Sequence, residues 1–181
     1  MLPSIENSTL LVIDIQERLL PAMHQGDQER LIKETAILLQ AFREFGGNAV
    51  VSEQYPKGLG HTVEGLTGFI EGWPCLEKTH FSLCQSPEYS TIEAHVQKDV
   101  VLAGIEAHVC VLQTGCDLLE KGHRVWVPFD AVSSRAPAYR DNGLALLERA
   151  GAVIINTESL VFNQLQSAGS DAFKRFSKLI R

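Results

Sequence analysis

Short, uninterrupted apolar runs recur along the chain and constrain its fold more than any other feature. Runs of this length, without alternating polar residues, are typical of strands that are buried on both faces of a parallel sheet. The first run stops at Asp14, and each of the others has glycine or proline next to it or, for residues 49–51, one position away. The runs cover residues 9–13, 49–51, 100–103, 125–127 and 152–155.

Segments with helical periodicity lie between these runs. They cover residues 27–45, 109–121 and 141–150, and each is followed directly by glycine. Glycine just after the last turn is a common helix stop. The alternation of strand and helix predicts right-handed crossovers, and therefore an α/β fold in which helices cover both faces of a parallel sheet.

The length of 181 residues predicts a single domain, residues 1–181, because domains usually contain about 100–200 residues. Residues 53–74 are weakly patterned and rich in glycine, which predicts a long loop, with at most a short helix, that serves function or an interface. Residues 170–181 predict a basic amphipathic helix. We interpret this helix as docked on the core or on a neighbouring subunit rather than on a membrane.

Charge and cysteine content disfavour several classes of protein. The chain has 16 Lys and Arg against 22 Asp and Glu, a net charge of −6, which disfavours nucleic acid as a partner. Its four cysteines lack the spacing of a zinc site and are interpreted as free thiols in a reducing compartment. The first apolar run is too short to span a membrane. We therefore expect a cytoplasmic protein that does not bind membranes.

Three reactive side chains stand near predicted strand ends, which is where ligands bind in open α/β sheets. Asp14 closes the first strand, Lys78 closes a short strand over residues 75–77, and Cys110 opens the helix after the strand that ends at Gly104. A helix N-terminus and a nearby lysine would both lower the pKa of the thiol, and a carboxylate could carry its proton. Taken singly, the charged residues could be solvated strand ends, and the cysteine could be a small buried apolar residue.

The same residues carry a resemblance to a known family. Residues 11–16 (Leu-Val-Ile-Asp-Ile-Gln), then Lys78, then residues 104–111 (Gly-Ile-Glu-Ala-His-Val-Cys-Val) resemble the isochorismatase-like cysteine hydrolase superfamily in order and spacing. Residues 52–60 and 130–135 resemble its isochorismatase-domain subgroup rather than the nicotinamidases. The resemblance implies a three-layer α/β/α domain, Rossmann-like, with a six-stranded parallel sheet.

The resemblance also implies a site. In it, Asp14, Lys78 and Cys110 form a catalytic triad, and the cysteine attacks a carbonyl carbon. A non-proline cis peptide bond would lie between Ile105 and Glu106. The backbone N–H groups of Glu106 and Cys110 would form the oxyanion hole, which stabilises the charge that develops on the carbonyl oxygen.

The chain departs from the superfamily at a metal site. Nicotinamidases bind a metal ion through an Asp and two His after the second strand, where this chain has Glu53 and Tyr55, with His61 only loosely in register. A single histidine with a non-matching glutamate is a poor metal site. We therefore predict neither a metal nor another cofactor, which disfavours nicotinamidase activity. True isochorismatases work without this cysteine, so Cys110 favours acyl transfer at an amide-like carbon.

Several further residues flank the triad positions in sequence and are candidates for a substrate pocket. Aromatic residues among them could equally fill the core or an interface. His108 lies two residues before Cys110 and could equally be a hydrogen-bonded structural residue. The candidates are Gln16, Leu19, Tyr55, Trp73, Phe81 and His108.

The function that these observations predict is a metal-independent cysteine hydrolase. It would act on a small amide, imide or related C–N bond through an acyl-thioester intermediate. An alternative is a non-catalytic or redox-responsive binding protein that uses the same reactive cysteine. A third reading, a purely structural domain, requires that Asp14, Lys78 and Cys110 lie apart. We expect a small-molecule substrate and a homo-oligomer.

Overall fold

Two fully buried strands form the centre of the sheet. In the computed structural model, which describes residues 2–165 and 167–180, β1 (Ser8–Ile13) and β4 (Asp99–Ile105) are buried at every position. They pair in parallel, with Ile13 opposite Gly104. Burial on both faces explains why their sequences are apolar without alternation. Met1 and Arg181, the ends of the predicted domain, lie outside the described residues.

The other strands extend the sheet on both sides of this pair, and every pairing is parallel. The order is β3-β2-β1-β4-β5-β7, and β6 pairs with the end of β4. The predicted parallel α/β sheet is thus confirmed, with the two-residue β6 in addition to the six strands expected. The remaining strands are β2 (Asn48–Gln54), β3 (Cys75–Lys78), β5 (Arg124–Pro128), β6 (Val132–Ser133) and β7 (Val153–Ile155).

Helices cover both faces of the sheet and give the three layers that the resemblance implied. One apolar cluster joins the sheet to the first set of helices, and a second cluster joins its other face to the second set. The first set is α1 (Gln25–Glu44), α3 (Glu64–Ile70), α6 (Thr157–Leu165) and α7 (Asp171–Leu179). The second set is α4 (Cys110–Glu120) and α5 (Pro137–Ala150).

Three segments differ from or refine the sequence predictions. Helix α5 begins at Pro137, four residues before the predicted start, because proline suits the first turn of a helix. Residues 53–74 are not one long loop, since they contain the end of β2, the single turn α2 (Pro56–Leu59) and α3. The C-terminal helix docks on its own chain, where Phe176 is buried and stacks on Phe45 with ring centroids 5.7 Å apart.

The connections of β1 and β4 determine where a ligand could bind. The chain leaves β1 towards α1 and β2 on one side, and leaves β4 towards α4 and β5 on the other. Such a reversal opens a crevice beyond the carboxyl ends of the two strands. No helix within the described ranges is long and apolar enough to cross a membrane.

Candidate active site

A buried ion pair lies at the carboxyl ends of the strands. Asp14 directly follows β1 in a left-handed conformation (φ 53°), and Lys78 is the last residue of β3. The Lys78 Nζ lies 2.6 Å from Asp14 Oδ2, and neither side chain is exposed to solvent. The two residues are 64 positions apart in sequence. They meet because parallel strands end at the same edge of the sheet.

The Lys78 ammonium has three further acceptors around it. Nζ donates to Gln54 Oε1 at 2.7 Å and to the backbone oxygens of His80 and Phe81, each at 3.2 Å. An ammonium has three protons and no acceptor. All three protons are therefore engaged within the protein, and the lysine is held between the carboxylate and the chain that follows β3.

The Asp14 carboxylate also contacts a serine and the candidate nucleophile. Ser52 Oγ donates to Asp14 Oδ1 at 2.7 Å, and the Cys110 thiol is hydrogen-bonded to the same carboxylate. The structure thus brings Asp14, Lys78 and Cys110 together. The interpretation as a purely structural domain required these residues to lie apart, so it is not supported.

Cys110 is the first residue of α4 and is 5% exposed. The N–H of Glu106 donates to its sulfur, and the peptide bond between Ile105 and Glu106 is cis. Within residues 2–165 and 167–180 the N–H of Cys110 has no acceptor. One N–H therefore bonds to the sulfur, and a second, at the start of α4, has no acceptor in the described part of the chain, so both are candidate donors for an oxyanion.

The electrostatics of this thiol differ from the sequence-based expectation. Burial raises the pKa of Cys110 to about 12, and the negative charge of Asp14 acts in the same direction. Lys78 and the N–H of Glu106 lower the pKa but do not outweigh the first two causes. The expected low thiol pKa is thus wrong for the free protein. The physical reasons are that the thiol is buried and that the lysine charge is paired with a carboxylate that also contacts the sulfur.

The side chain of Glu106 is not free to act on a substrate. Its Oε2 accepts the N–H of Arg135 at 3.1 Å, and its Oε1 lies 3.2 Å from the Arg135 guanidinium. The main chain of Glu106 therefore faces the sulfur while its carboxylate is held by the segment after β6.

Three predicted pocket residues lie near the site with side chains available to a ligand. Tyr55 and Phe81 are each 54% exposed, and their backbones bond to Lys78. His108 is half-buried in the turn before Cys110, with Nδ1 3.0 Å from Ser134 Oγ and its ring 4.9 Å from that of Tyr139.

The other three predicted pocket residues have different places. Trp73 lies at the end of the sheet opposite the site. It precedes β3 and lines a groove with Thr9 and Asn48 at the amino ends of the strands. Gln16 is fully buried, and both ends of its amide are bonded to backbone groups, so it supports the site rather than lining it. Leu19 is half-buried and packs against the core on the α1 face.

Sequence reasoning missed two residues that complete the site, Ser52 and Gln54. Both lie at the end of β2, between the strands that carry Asp14 and Lys78. The sheet register places Ser52 opposite Ile13, next to Asp14, and Gln54 opposite Lys78. A sequence signal exists, since both fall within residues 52–60, but the register that assigns their partners is not readable from the sequence.

The residues at the position of the nicotinamidase metal site bind one another. Glu53 Oε1 accepts the N–H and the hydroxyl of Thr62 at 2.7 and 2.8 Å, and Glu53 Oε2 lies 2.9 Å from His61 Nδ1. No group of three or more potential metal-ligating side chains occurs in the described part of the chain. Glu53 therefore fastens the segment after α2 to the end of β2.

The Glu53 contacts predict a pH-dependent loosening of this segment. Burial alone would raise the pKa of Glu53, but the bonds from Thr62 and His61 outweigh it and hold the pKa below its ordinary value of 4.5. Because the folded-state pKa is the lower one, the stabilisation is complete above pH 4.5 and is lost as the pH falls through the folded-state value.

Hydrogen exchange measures this effect directly. The protection factor of the Thr62 amide is expected to fall below pH 4.5, while that of the Gly104 amide, which donates to Ala131 inside the sheet, stays constant. Glu53→Gln should reduce the Thr62 protection already at neutral pH. A Thr62 protection factor that does not change between pH 7 and pH 3 would contradict this assignment.

Comparison with known proteins identifies the family to which this arrangement belongs. The isochorismatase domain model matches residues 8–159. Isochorismatase domain-containing protein 2 of Danio rerio is 36% identical over 178 residues, which cover 98% of this chain and 88% of that protein. The structure of MAR1 ribonuclease from Caenorhabditis elegans is 39% identical, covers 99% of this chain and 92% of that one, and has a TM-score of 0.89.

A more distant structure shares the fold alone. YcaC from Pseudomonas aeruginosa has a TM-score of 0.88 at 20% identity, and the match covers 99% of this chain and 95% of that one. The family model matches most of the chain, and the Danio rerio relative is covered over most of its own length. The chain therefore belongs to the isochorismatase-like hydrolase family.

Proposed function

We propose that this protein is a metal-independent cysteine hydrolase that cleaves a small amide, imide or related C–N bond. One observation carries the proposal. The Asp14 carboxylate contacts both the Lys78 ammonium and the Cys110 thiol, and the N–H of Glu106 faces the same sulfur. A nucleophile, a base, a cation paired with that base and an oxyanion donor thus share one buried site.

The proposed reaction has two steps. In the first, Asp14 takes the proton from Cys110 as the sulfur attacks the carbonyl carbon, and the N–H groups of Glu106 and Cys110 bind the oxyanion. The C–N bond then breaks, the amine leaves with the proton from Asp14, and an acyl-thioester remains. In the second step, Asp14 removes a proton from water, the hydroxide attacks the thioester, and the acid leaves as the sulfur regains its proton.

The high thiol pKa determines when the proton leaves Cys110 in this mechanism. Because the resting thiol is protonated at neutral pH, the proton moves to Asp14 during the attack and not beforehand. Lys78 Nζ lies 2.6 Å from the carboxylate that must accept the proton. The hydrogen bond between the thiol and Asp14 already defines the path of this transfer.

An acyl-enzyme experiment tests the proposal. The protein is incubated with small amides and imides, and its intact mass is measured after rapid acid quenching while ammonia or amine release is followed. We expect an acyl adduct on Cys110 that hydroxylamine removes, and turnover that survives dialysis against a metal chelator. Hydrolysis that proceeds equally without Cys110, or an absence of adduct and turnover across the whole panel, would refute it.

A second candidate function is cleavage of RNA, which one comparison favours. The relative from Caenorhabditis elegans, at 39% identity, is named a ribonuclease. Against this, the net charge of −6 gives little attraction for a polyanion, and the Asp14, Lys78 and Cys110 side chains are buried. RNA therefore belongs in the substrate panel, with the Cys110→Ala variant distinguishing a reaction at this site from a contaminating nuclease.

The redox-responsive alternative has less support from the site. Oxidation of a cysteine depends on how much thiolate it forms and on its exposure, but Cys110 is buried and its pKa is raised.

We propose that the protein works in the cytoplasm as a homo-oligomer. Free thiols at all four cysteines suit a reducing compartment, and the exposed aromatic side chains of Tyr55, Phe81 and Tyr139 suit a subunit contact. Light scattering measures the oligomeric state.

A further inference from the structure

Gln54 connects the Lys78 ammonium to the chain that follows β3. Its Oε1 accepts from Lys78 Nζ at 2.7 Å, and its Nε2 donates to the backbone oxygen of Thr79 at 2.8 Å. Since only the NH₂ end of an amide can donate to a carbonyl, the Thr79 contact turns the oxygen end towards the lysine. Both ends of the Gln54 side chain are therefore in use, and its orientation is determined.

The backbone of Gln54 is held as firmly as its side chain. The buried Gln16 accepts the Gln54 N–H through Oε1 at 2.7 Å, and its Nε2 donates to the Gln54 oxygen at 3.0 Å and to the Gly60 oxygen at 2.7 Å. Gln16, which lies just after β1, thus anchors the end of β2. The Asp14 and Gln54 acceptors are consequently fixed relative to each other.

The bonds of Lys78 are unequal in length. The bonds to Asp14 (2.6 Å) and Gln54 (2.7 Å) are short, whereas the His80 and Phe81 oxygens lie at 3.2 Å and share the remaining proton. Among the side chains that the structure describes, Gln54 is the only one other than Asp14 that accepts a hydrogen bond from the ammonium. Without it, one proton of a buried cation would lack a partner, and the lysine would reorient to find one.

We propose that Gln54 is a positioning residue that holds the Lys78 ammonium on Asp14, so that the lysine acts on the carboxylate and donates no proton to the substrate. This role deepens the proposed cysteine hydrolase and rests on it. It predicts that Gln54 influences the reactivity of Cys110 only through Lys78. No hydrogen bond joins Gln54 to Cys110 among the described residues.

The test is a double-mutant cycle on thiol reactivity, which needs no substrate. Alkylation of Cys110 by iodoacetamide is measured between pH 6 and pH 10 by peptide mass spectrometry in four proteins: wild type, Gln54→Met, Lys78→Met and the double variant. Methionine keeps the side-chain length and removes the hydrogen bonds. Because one pKa unit changes the thiolate fraction tenfold, we expect Gln54→Met to slow alkylation at pH 8 by about three- to tenfold.

Of the four proteins, the double variant tests whether Gln54 acts only through Lys78. We expect it to react no more slowly than Lys78→Met alone, because Gln54 has nothing to hold once the ammonium is gone. Independent effects, which multiply in the double variant, would overturn the proposal, and so would wild-type reactivity in Gln54→Met. Gln40→Leu in α1 is the matched control and should react as wild type, because the Gln40 amide donates to the backbone oxygen of Ala36 in the same helix.

Two further measurements keep the outcome interpretable. Thermal unfolding of each variant shows whether it folds, and Gln54→Asn, whose amide is one methylene too short to bridge Lys78 and Thr79, replaces Gln54→Met if that variant does not. The cycle reports on thiol reactivity even if no amide is hydrolysed. A failure of the hydrolase proposal is thereby distinguishable from a failure of the role assigned to Gln54.

Discussion

Replacing Cys110 with alanine is expected to lower turnover by roughly 10⁴-fold or more, because it removes the thiol that would form the proposed acyl-thioester. The structure supplies one sulfur in contact with both Asp14 and the N–H of Glu106. The fold should persist, since the substitution removes only a small side-chain atom at the start of α4. A destabilisation of no more than about 2 kcal/mol is expected for a cavity of this size.

Steady-state turnover and thermal unfolding of the purified variant measure the two effects separately. Cys116→Ala is the matched control. It lies on the same helix, six residues on and about 240° round the axis, so its thiol faces away from Asp14. Turnover in Cys110→Ala within tenfold of the wild-type value would rule out covalent catalysis, and equal losses in both variants would indicate a structural effect.

Replacing Asp14 with asparagine is expected to change turnover and thiol reactivity in opposite directions. Turnover should fall by about 10²- to 10⁴-fold, because an amide cannot accept the proton from Cys110. Alkylation of Cys110 at neutral pH should become at least about tenfold faster, because burial and the Asp14 charge both raise the pKa of the thiol and the substitution removes the second cause. A variant that is less active yet has a more reactive cysteine is not explained by misfolding.

The same iodoacetamide measurement, with an amide turnover assay on the same preparation, tests this prediction. Asp99→Asn is the control, because Asp99 is also a buried carboxylate bonded to a cation, Arg124, but lies at the amino ends of the strands. We expect Asp99→Asn to affect stability and to leave Cys110 reactivity unchanged. Slower alkylation in Asp14→Asn would show that Asp14 does not raise the thiol pKa, and the coupled proton transfer would be wrong.

The sequence predicted the architecture, and together with the family resemblance it indicated the three central residues. Uninterrupted apolar runs require burial on both faces, which leads to a parallel sheet with helices on each side. In such a sheet the carboxyl ends of all strands share one edge. Asp14 and Lys78, each at a strand end, and Cys110, at the start of the next helix, therefore had to lie on the same side of the molecule.

The tertiary structure alone decided which partners these residues have and what charge the thiol carries. Strand register assigns Ser52 to Asp14 and Gln54 to Lys78, and register depends on packing between strands that are distant in sequence. Trp73 lies one residue from Pro74 and two from β3, yet the direction of that strand puts it at the opposite end of the sheet.

The pKa of the Cys110 thiol is the clearest example of a property that the sequence could not predict. Helix position and a nearby lysine predicted a low value from the sequence, but the sign of the shift depends on burial and on the distance of each charge. Those quantities exist only once the chain has folded, when Asp14 has paired with Lys78 and both have enclosed the sulfur of Cys110.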